Sequence, residues 1–305
     1  MNASARRSIL QLVLAALILA FLGYVLLSQW DRLIASGVRF HPAYFAIAVA
    51  ANIVFFAFQA EVWRRACAAS APPMPTTAAW CVWASSQVAK YVPGKVMLPL
   101  VRIGGAVRAG TTKAAATIGL YIEIVLMIAS SAVVFVLLAG RIEALAGAWP
   151  PWVFPSLAGA GVLGLHPRIV EWGMNLGLRL AKRDPIELRM GYSRIVALAL
   201  VVAAGWLVHG LSALACVAAL GLDTADAYAP LTGVFALSWL VGFLSFLTPG
   251  GLGVREGILV LALKGRFGPE GAVAISLVSR LAWIAAETVM AGALWPKRPR
   301  GEAAP

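Results

Sequence analysis

Residues 246–263 read FLTPGGLGVREGILVLAL, an apolar run broken at Pro249-Gly250-Gly251, carried through Leu252-Gly253-Val254, charged at Arg255-Glu256 and then apolar again. Proline removes a helical hydrogen bond, and the break frees backbone groups that hydrocarbon cannot satisfy. At membrane depth such a break is tolerated only where it is buried in protein or lines a watery cavity. Residues 231–247 ahead of it are apolar and a short apolar helix to about Leu263 follows, which predicts a helical hairpin. A second segment repeats the pattern. Residues 76–92 are apolar on average but carry Ser85, Ser86, Gln87 and Lys90; they stop at Pro93-Gly94 and lead into a short stretch with Lys95, Pro99 and Arg102.

Outward from these breaks the chain is built of long apolar stretches. Of its 305 residues 61% are hydrophobic and 12% charged, against roughly 45–50% and 25% in soluble domains, and the mean hydropathy is +0.85. Residues 8–28, 43–60, 114–138 and 195–220 each reach the ~20 apolar residues that a spanning helix needs. Residues 271–295 do so if Arg280 and Glu287 face protein or water, and 151–165 are read as a shorter sixth span. The expectation is an all-α polytopic membrane protein of about six full transmembrane helices plus two Pro-Gly-interrupted re-entrant hairpins, forming a single transmembrane domain over 1–305. The breaks lie about half the chain apart, so 1–145 and 146–300 are expected to form an inverted repeat. Opposed repeats with interrupted segments in matching positions point to a transporter's midplane site.

The net charge of +12 does not indicate nucleic acid, because the bases are spread over loops between apolar stretches. Cytoplasmic loops retain Lys and Arg. Arg6, Arg7, Arg64, Arg65, Arg108, Lys113, Arg168, Arg179, Lys182, Arg183, Arg189, Arg194, Lys297, Arg298 and Arg300 fall on one side, and Arg32, Arg39, Arg141, Lys264 and Arg266 on the other. Both termini are therefore expected in the cytoplasm, with the chain integral to the inner membrane. The first span exceeds a signal-peptide core and has no small-residue cleavage site, so it reads as an uncleaved anchor. Residues 166–194 read as a basic amphipathic cytoplasmic stretch. Cys67, Cys81 and Cys216 have neither metal-ligand nor disulfide spacing and read as packing residues.

Ionisable side chains at bilayer depth cost at least ~2.5–3.5 kcal/mol each and are functional candidates by default. They are Lys90, Lys95, Arg102, Glu123, Arg255, Glu256, Arg280 and Glu287. The excess of bases favours an anionic guest, since an uncompensated buried cation is strongly disfavoured. Lys90, Lys95, Arg102, Arg255 and Arg280 are the substrate-binding candidates; Glu123, Glu256 and Glu287 balance them or carry coupling protons. Pro93, Gly94, Pro249, Gly250, Gly251 and Gly253 form the turns. Arg280 and Glu287 lie two turns apart on one helix face and cannot pair directly. Plainer readings stand beside these: Glu123 paired internally with a hairpin lysine, Glu256 capping its own helix, Lys90 and Lys95 snorkelling to headgroups, and His209 as a packing residue. Trp80, Trp83, Trp152 and Trp295 read as interfacial belt residues.

Catalytic motifs are incomplete. Lys95 and Arg102 have the spacing of one lipid-phosphatase motif, but the histidine needed after Ser279-Arg280 is missing; His166 with Glu171 is a weak acyltransferase match. The glycine run at 250–253 lacks a nucleotide loop's strand-helix context, and neither a metal nor a cofactor is expected.

SSQVAKYVPGKV (85–96) followed by GLYIEIVLMIASS (119–131), and FLTPGGLGVREGILVLAL (246–263) followed by SLVSRLAWIAAE (276–287), together resemble the lysylphosphatidylglycerol synthase transmembrane, or flippase-like, family. The resemblance runs from about Leu10 to Trp295. Many of that family have Glu-Arg where this chain has Glu123-Ile124. The resemblance implies a helical membrane domain that moves lipids between leaflets or serves lipid modification. Some relatives carry a soluble aminoacyl-transferase, which is not expected here because the sequence stops at Pro305. The function expected is a lipid flippase or transporter for an anionic lipid or lipid-linked headgroup. The alternative is a non-catalytic membrane subunit beside a lipid-modifying or cell-envelope glycolipid enzyme. Membrane lipids, and such an enzyme, are the partners expected.

Overall fold

A computed structural model describes residues 39–91, 97–142, 150, 152–180, 182, 184–245, 251 and 253–294, which form helices and no strand. The helices are α1 (Pro42–Cys67), α2 (Thr76–Gln87), α3 (Met97–Arg108), α4 (Lys113–Leu138), α5 (Val153–Leu163), α6 (Pro167–Leu180), α7 (Tyr192–Ala219), α8 (Tyr228–Leu244) and α9 (Val254–Leu294). A 3-10 turn, Val88–Tyr91, extends α2. Among the described residues α1, α4, α7 and α9 are long and apolar enough to cross a membrane, as the composition requires of a helical membrane protein.

The expected sixth span is corrected. Residues 153–163 form a helix of 11 residues, about 16 Å at helical rise against a hydrocarbon core of ~30 Å, and are too short to cross unaided. Among the described residues four helices, not five, reach the length of a span. The first expected span, 8–28, lies outside them, as do Trp295, Pro93, Gly94, Lys95, Pro249 and Gly250. The basic stretch after α5 contains the amphipathic helix α6, which buries Val170 and Met174. Its loop is closed by Asn175, whose amide nitrogen donates to the Ile186 carbonyl (3.2 Å) while its oxygen accepts from the Ile186 N–H (2.8 Å).

α1 and α7 form the antiparallel centre of the bundle. Ser212 donates to the Ala48 carbonyl (2.9 Å), His209 Nδ1 meets Asn52 Oδ1 (2.9 Å), and the Trp206 ring packs tilted against Phe55 (5.2 Å). α4 runs against α1 with Gly119 on Cys67 and Trp63, where a Cβ at 119 would overlap Cys67 Sγ and stand 3.1 Å from the Cys67 backbone nitrogen. These contacts bring the end of α1, with Arg64 and Arg65, to the beginnings of α4 and α7, with Lys113 and Arg194; Arg194 donates to the Arg65 carbonyl (3.0 Å).

α2 and α3 fold back on each other: Gly105 lies against Val82, and Arg102 donates to Ser86. Their open end lies at the basic end of the bundle, since α3 leads directly into Thr112, whose hydroxyl caps α4 by accepting from Ala115 N–H (3.1 Å). α8 and the start of α9 form a second such pair, with Arg255 against Gly242. Its open end is at the opposite end, where Arg266 donates to the Ala225 carbonyl. Within α9 the backbone leaves helical geometry at Gly268 (φ 72°, ψ 165°), just before Pro269. A straight helix would hold Glu256 and Arg280 ~36 Å apart, yet they meet at 3.6 Å. The chain thus turns back at Gly268, and residues 269–294 supply the length of a span by themselves.

Candidate functional site

A cavity of about 390 Å³ opens where the inner ends of both helix pairs meet α1 and α4. Its walls are largely apolar and aromatic, among them Phe55, Phe56, Trp83, Met127, Trp239 and Trp283. Lys90, Arg102, Arg255, Arg280 and Glu123 face it, as does Gly251. Five of the charged residues singled out in the sequence, from four separate segments, therefore share one cavity. Arg102 is 1% exposed, Arg255 8% and Arg280 5%, burial that long cationic side chains reach only with partners.

Each carboxylate is held by a cation and a further donor. Glu123 Oε2 accepts from Arg102 Nη1 (2.6 Å) and its Oε1 from Trp83 Nε1 (2.7 Å). Arg102 Nε also donates to Ser86 Oγ at 2.5 Å, and its guanidinium lies 5.2 Å from the ring centres of both Trp63 and Trp83. Glu287 is built alike: Trp283 Nε1 donates to its Oε1 (2.7 Å), and Lys90 forms an ion pair with the same oxygen. Lys90 and Arg255 approach the Trp283 ring at 5.3 and 4.7 Å, so two cations lie against one indole. A positive group over an indole face gains cation–π attraction where water is scarce.

Glu256 has two attachments. Its Oε2 accepts from the Gly253 N–H (2.7 Å), closing the first turn of α9 as an N-terminal cap, and its Oε1 faces Arg280 Nη1 at 3.6 Å. The capping reading of Glu256 and its place in the charge cluster are thus compatible. Gly251 and Gly253 have φ of +70° and +81°, a left-handed region open to glycine at little cost. Glu256→Ala is expected to destabilise the protein by about 1 kcal/mol, the usual worth of a helix cap, measured as a thermal midpoint shift in detergent; an unchanged midpoint would contradict the double role.

Several sequence expectations are corrected here. Trp83 is not an interfacial belt residue: it is 3% exposed and bonds Glu123. Trp80 is partly buried against the core, whereas Trp152 is 67% exposed. Glu123 pairs with Arg102 rather than with a hairpin lysine, because α3 lies directly against α4. Lys90 is turned inward to Glu287 instead of snorkelling. His209 sits away from the cavity, bonded to Asn52 and stacked on Phe55 at 5.1 Å.

Sequence reasoning passed over Trp283 and Gln59, and named Trp83 and Ser86 without placing them beside the charged residues. Trp283 precedes Glu287 by one helical turn, a spacing that places both on one face; nothing local in the sequence joins Trp83 to Glu123. Compared with known proteins, the chain matches no family model and no curated sequence.

Proposed function

We propose that the chain is a membrane lipid transporter that moves an anionic amphiphile between leaflets, with the headgroup in the cavity and the acyl chains in lipid. The observation that supports it is the charge cluster: among the described residues Lys90, Arg102, Glu123, Arg255 and Arg280 line one apolar-walled cavity, with Glu287 paired to Lys90 and Glu256 facing Arg280. An anion arriving there exchanges a carboxylate for a phosphate on cations already desolvated, which makes charge-assisted bonds strong. We read the two helix pairs as re-entrant hairpins of an inverted repeat; their opening toward opposite ends suits alternating access to one central site. Transport is downhill or ion-coupled, and the three carboxylates are the groups that would carry protons.

Leaflet-specific reduction of fluorescent anionic lipids in vesicles containing the purified chain tests this directly. Protein-containing vesicles are expected to lose inner-leaflet signal faster than protein-free ones, and Arg255→Ala to slow that loss on the order of tenfold, the worth of one bond to a charged group. Identical transbilayer rates with and without protein would sink the reading. A second reading, a non-transporting subunit of a lipid-modifying enzyme, draws on Arg102, whose bonds to Glu123 and Ser86 fasten the hairpin as any scaffold would require. That reading expects Arg255→Ala to leave lipid distribution unchanged.

A further inference from the structure

We infer that Gln59 reads a hydroxyl on the bound headgroup, so that the cavity selects an anionic amphiphile bearing a free hydroxyl over one lacking it. The inference rests on the lipid-binding reading above and names the substrate class more narrowly. Gln59 lines the cavity with Phe55, Phe56 and Arg102, and is 2% exposed. Among the described residues neither its Oε1 nor its Nε2 has a hydrogen-bond partner. Leaving a buried amide unpaired is costly, and native proteins seldom do so without a reason.

The surroundings explain why no neighbour supplies the bonds. On one side lies α7 at Gly205, where a methyl group would stand 3.6 Å from Gln59 Nε2. Of the other polar groups lining the cavity, Arg102 and Glu123 are committed to each other and to Ser86 and Trp83. The remaining direction is the cavity itself. A ligand that fills it must offer Gln59 an acceptor for Nε2 and a donor for Oε1. A phosphate oxygen satisfies only the nitrogen and an ammonium only the oxygen. A hydroxyl satisfies both with one atom, and it lies within a few bonds of the phosphate in any glycerol-like or sugar-like headgroup. A headgroup ending in an alkyl group would expel water from Gln59 and leave both amide atoms unpaired. Sites built to bond a hydroxyl reject the analogue lacking it more strongly than apolar pockets reject an added group.

The test compares two phosphodiester lipids of equal charge and acyl composition, phosphatidylglycerol and phosphatidylethanol, competing for the detergent-solubilised full chain, with bound lipid read by native mass spectrometry. Wild-type protein is expected to prefer phosphatidylglycerol about tenfold, one hydrogen bond's worth. Gln59→Met, which keeps the length and removes both polar atoms, is expected to bring that ratio close to one by weakening phosphatidylglycerol alone. Equal binding of the two lipids by wild-type protein would overturn the inference while leaving anionic-lipid binding intact, and needs no variant to fold. A preference that survives Gln59→Met would overturn it equally. If neither lipid is bound above phosphatidylcholine, the transport reading fails first and the inference with it.

Discussion

Glu123→Leu is expected to destabilise the protein by about 3–5 kcal/mol, because it removes one partner of a buried ion pair and leaves the other charged. Arg102 is 1% exposed and has Glu123 as its ion-pair partner at 2.6 Å, with a further bond, among the described residues, to the neutral Ser86 hydroxyl. The substitution strands the guanidinium and the Trp83 indole N–H together. The double variant Arg102→Met with Glu123→Leu is expected to recover most of that loss, since apolar groups of similar volume can replace a buried pair nearly neutrally. Thermal unfolding in detergent, followed by the monodisperse fraction on size-exclusion chromatography, reads both. A double variant as unstable as the single would show that the pair contributes more than mutual neutralisation. The same comparison carries a functional arm: a folded double variant without transport places Arg102 or Glu123 in substrate handling, and one with full transport confines them to holding α3 against α4.

Gly251→Ala is expected to cost about 2–5 kcal/mol, and Gly253→Ala about 1–2 kcal/mol, although both sit at positive φ in one turn. Left-handed backbone costs a residue with a Cβ ~1–2 kcal/mol at either position. At 253 a methyl group meets no heavy atom within 4 Å, so strain is the whole cost. At 251 it would stand 3.0 Å from the Gly242 carbonyl oxygen and 3.1 Å from its carbonyl carbon and Cα. Those are backbone atoms, unable to swing aside, and overpacking of this kind adds ~1–3 kcal/mol. Because Gly251 lines the cavity, the shift that relieves the overlap also moves the α8 wall against Arg255. Thermal midpoints of the two variants, measured side by side, decide the matter; equal losses would mean the close approach of 251 to 242 carries no weight.

The residues that gather at the cavity were legible as a set but not as a structure. Lys90, Arg102, Glu123, Arg255, Arg280 and Glu287 stand out in the sequence because hydrocarbon penalises charge, a rule that needs no coordinates. Their partners did not stand out. The links from Trp83 to Glu123 and from Lys90 to Glu287 cross 40 and 197 residues, and no local pattern encodes such distances. Gln59 escaped for the opposite reason: a neutral amide in an apolar helix is inexpensive enough to pass as ordinary until its neighbours prove to have no bonds to give it.

By itself the sequence determined the class of protein and the main long helices, because each follows from the solvation of side chains over a single span. It also misled over 151–165, where apolar composition suggested a crossing that an 11-residue helix does not have the length to make. Only the tertiary structure decided that the reversal at Gly268 brings Glu256 to Arg280 and that the inner ends of the two helix pairs share a cavity with Gln59. Those outcomes depend on which helices pack together, and packing is settled by the fit of distant surfaces such as Gly105 on Val82 and Gly242 on Arg255, a property that no stretch of chain carries alone.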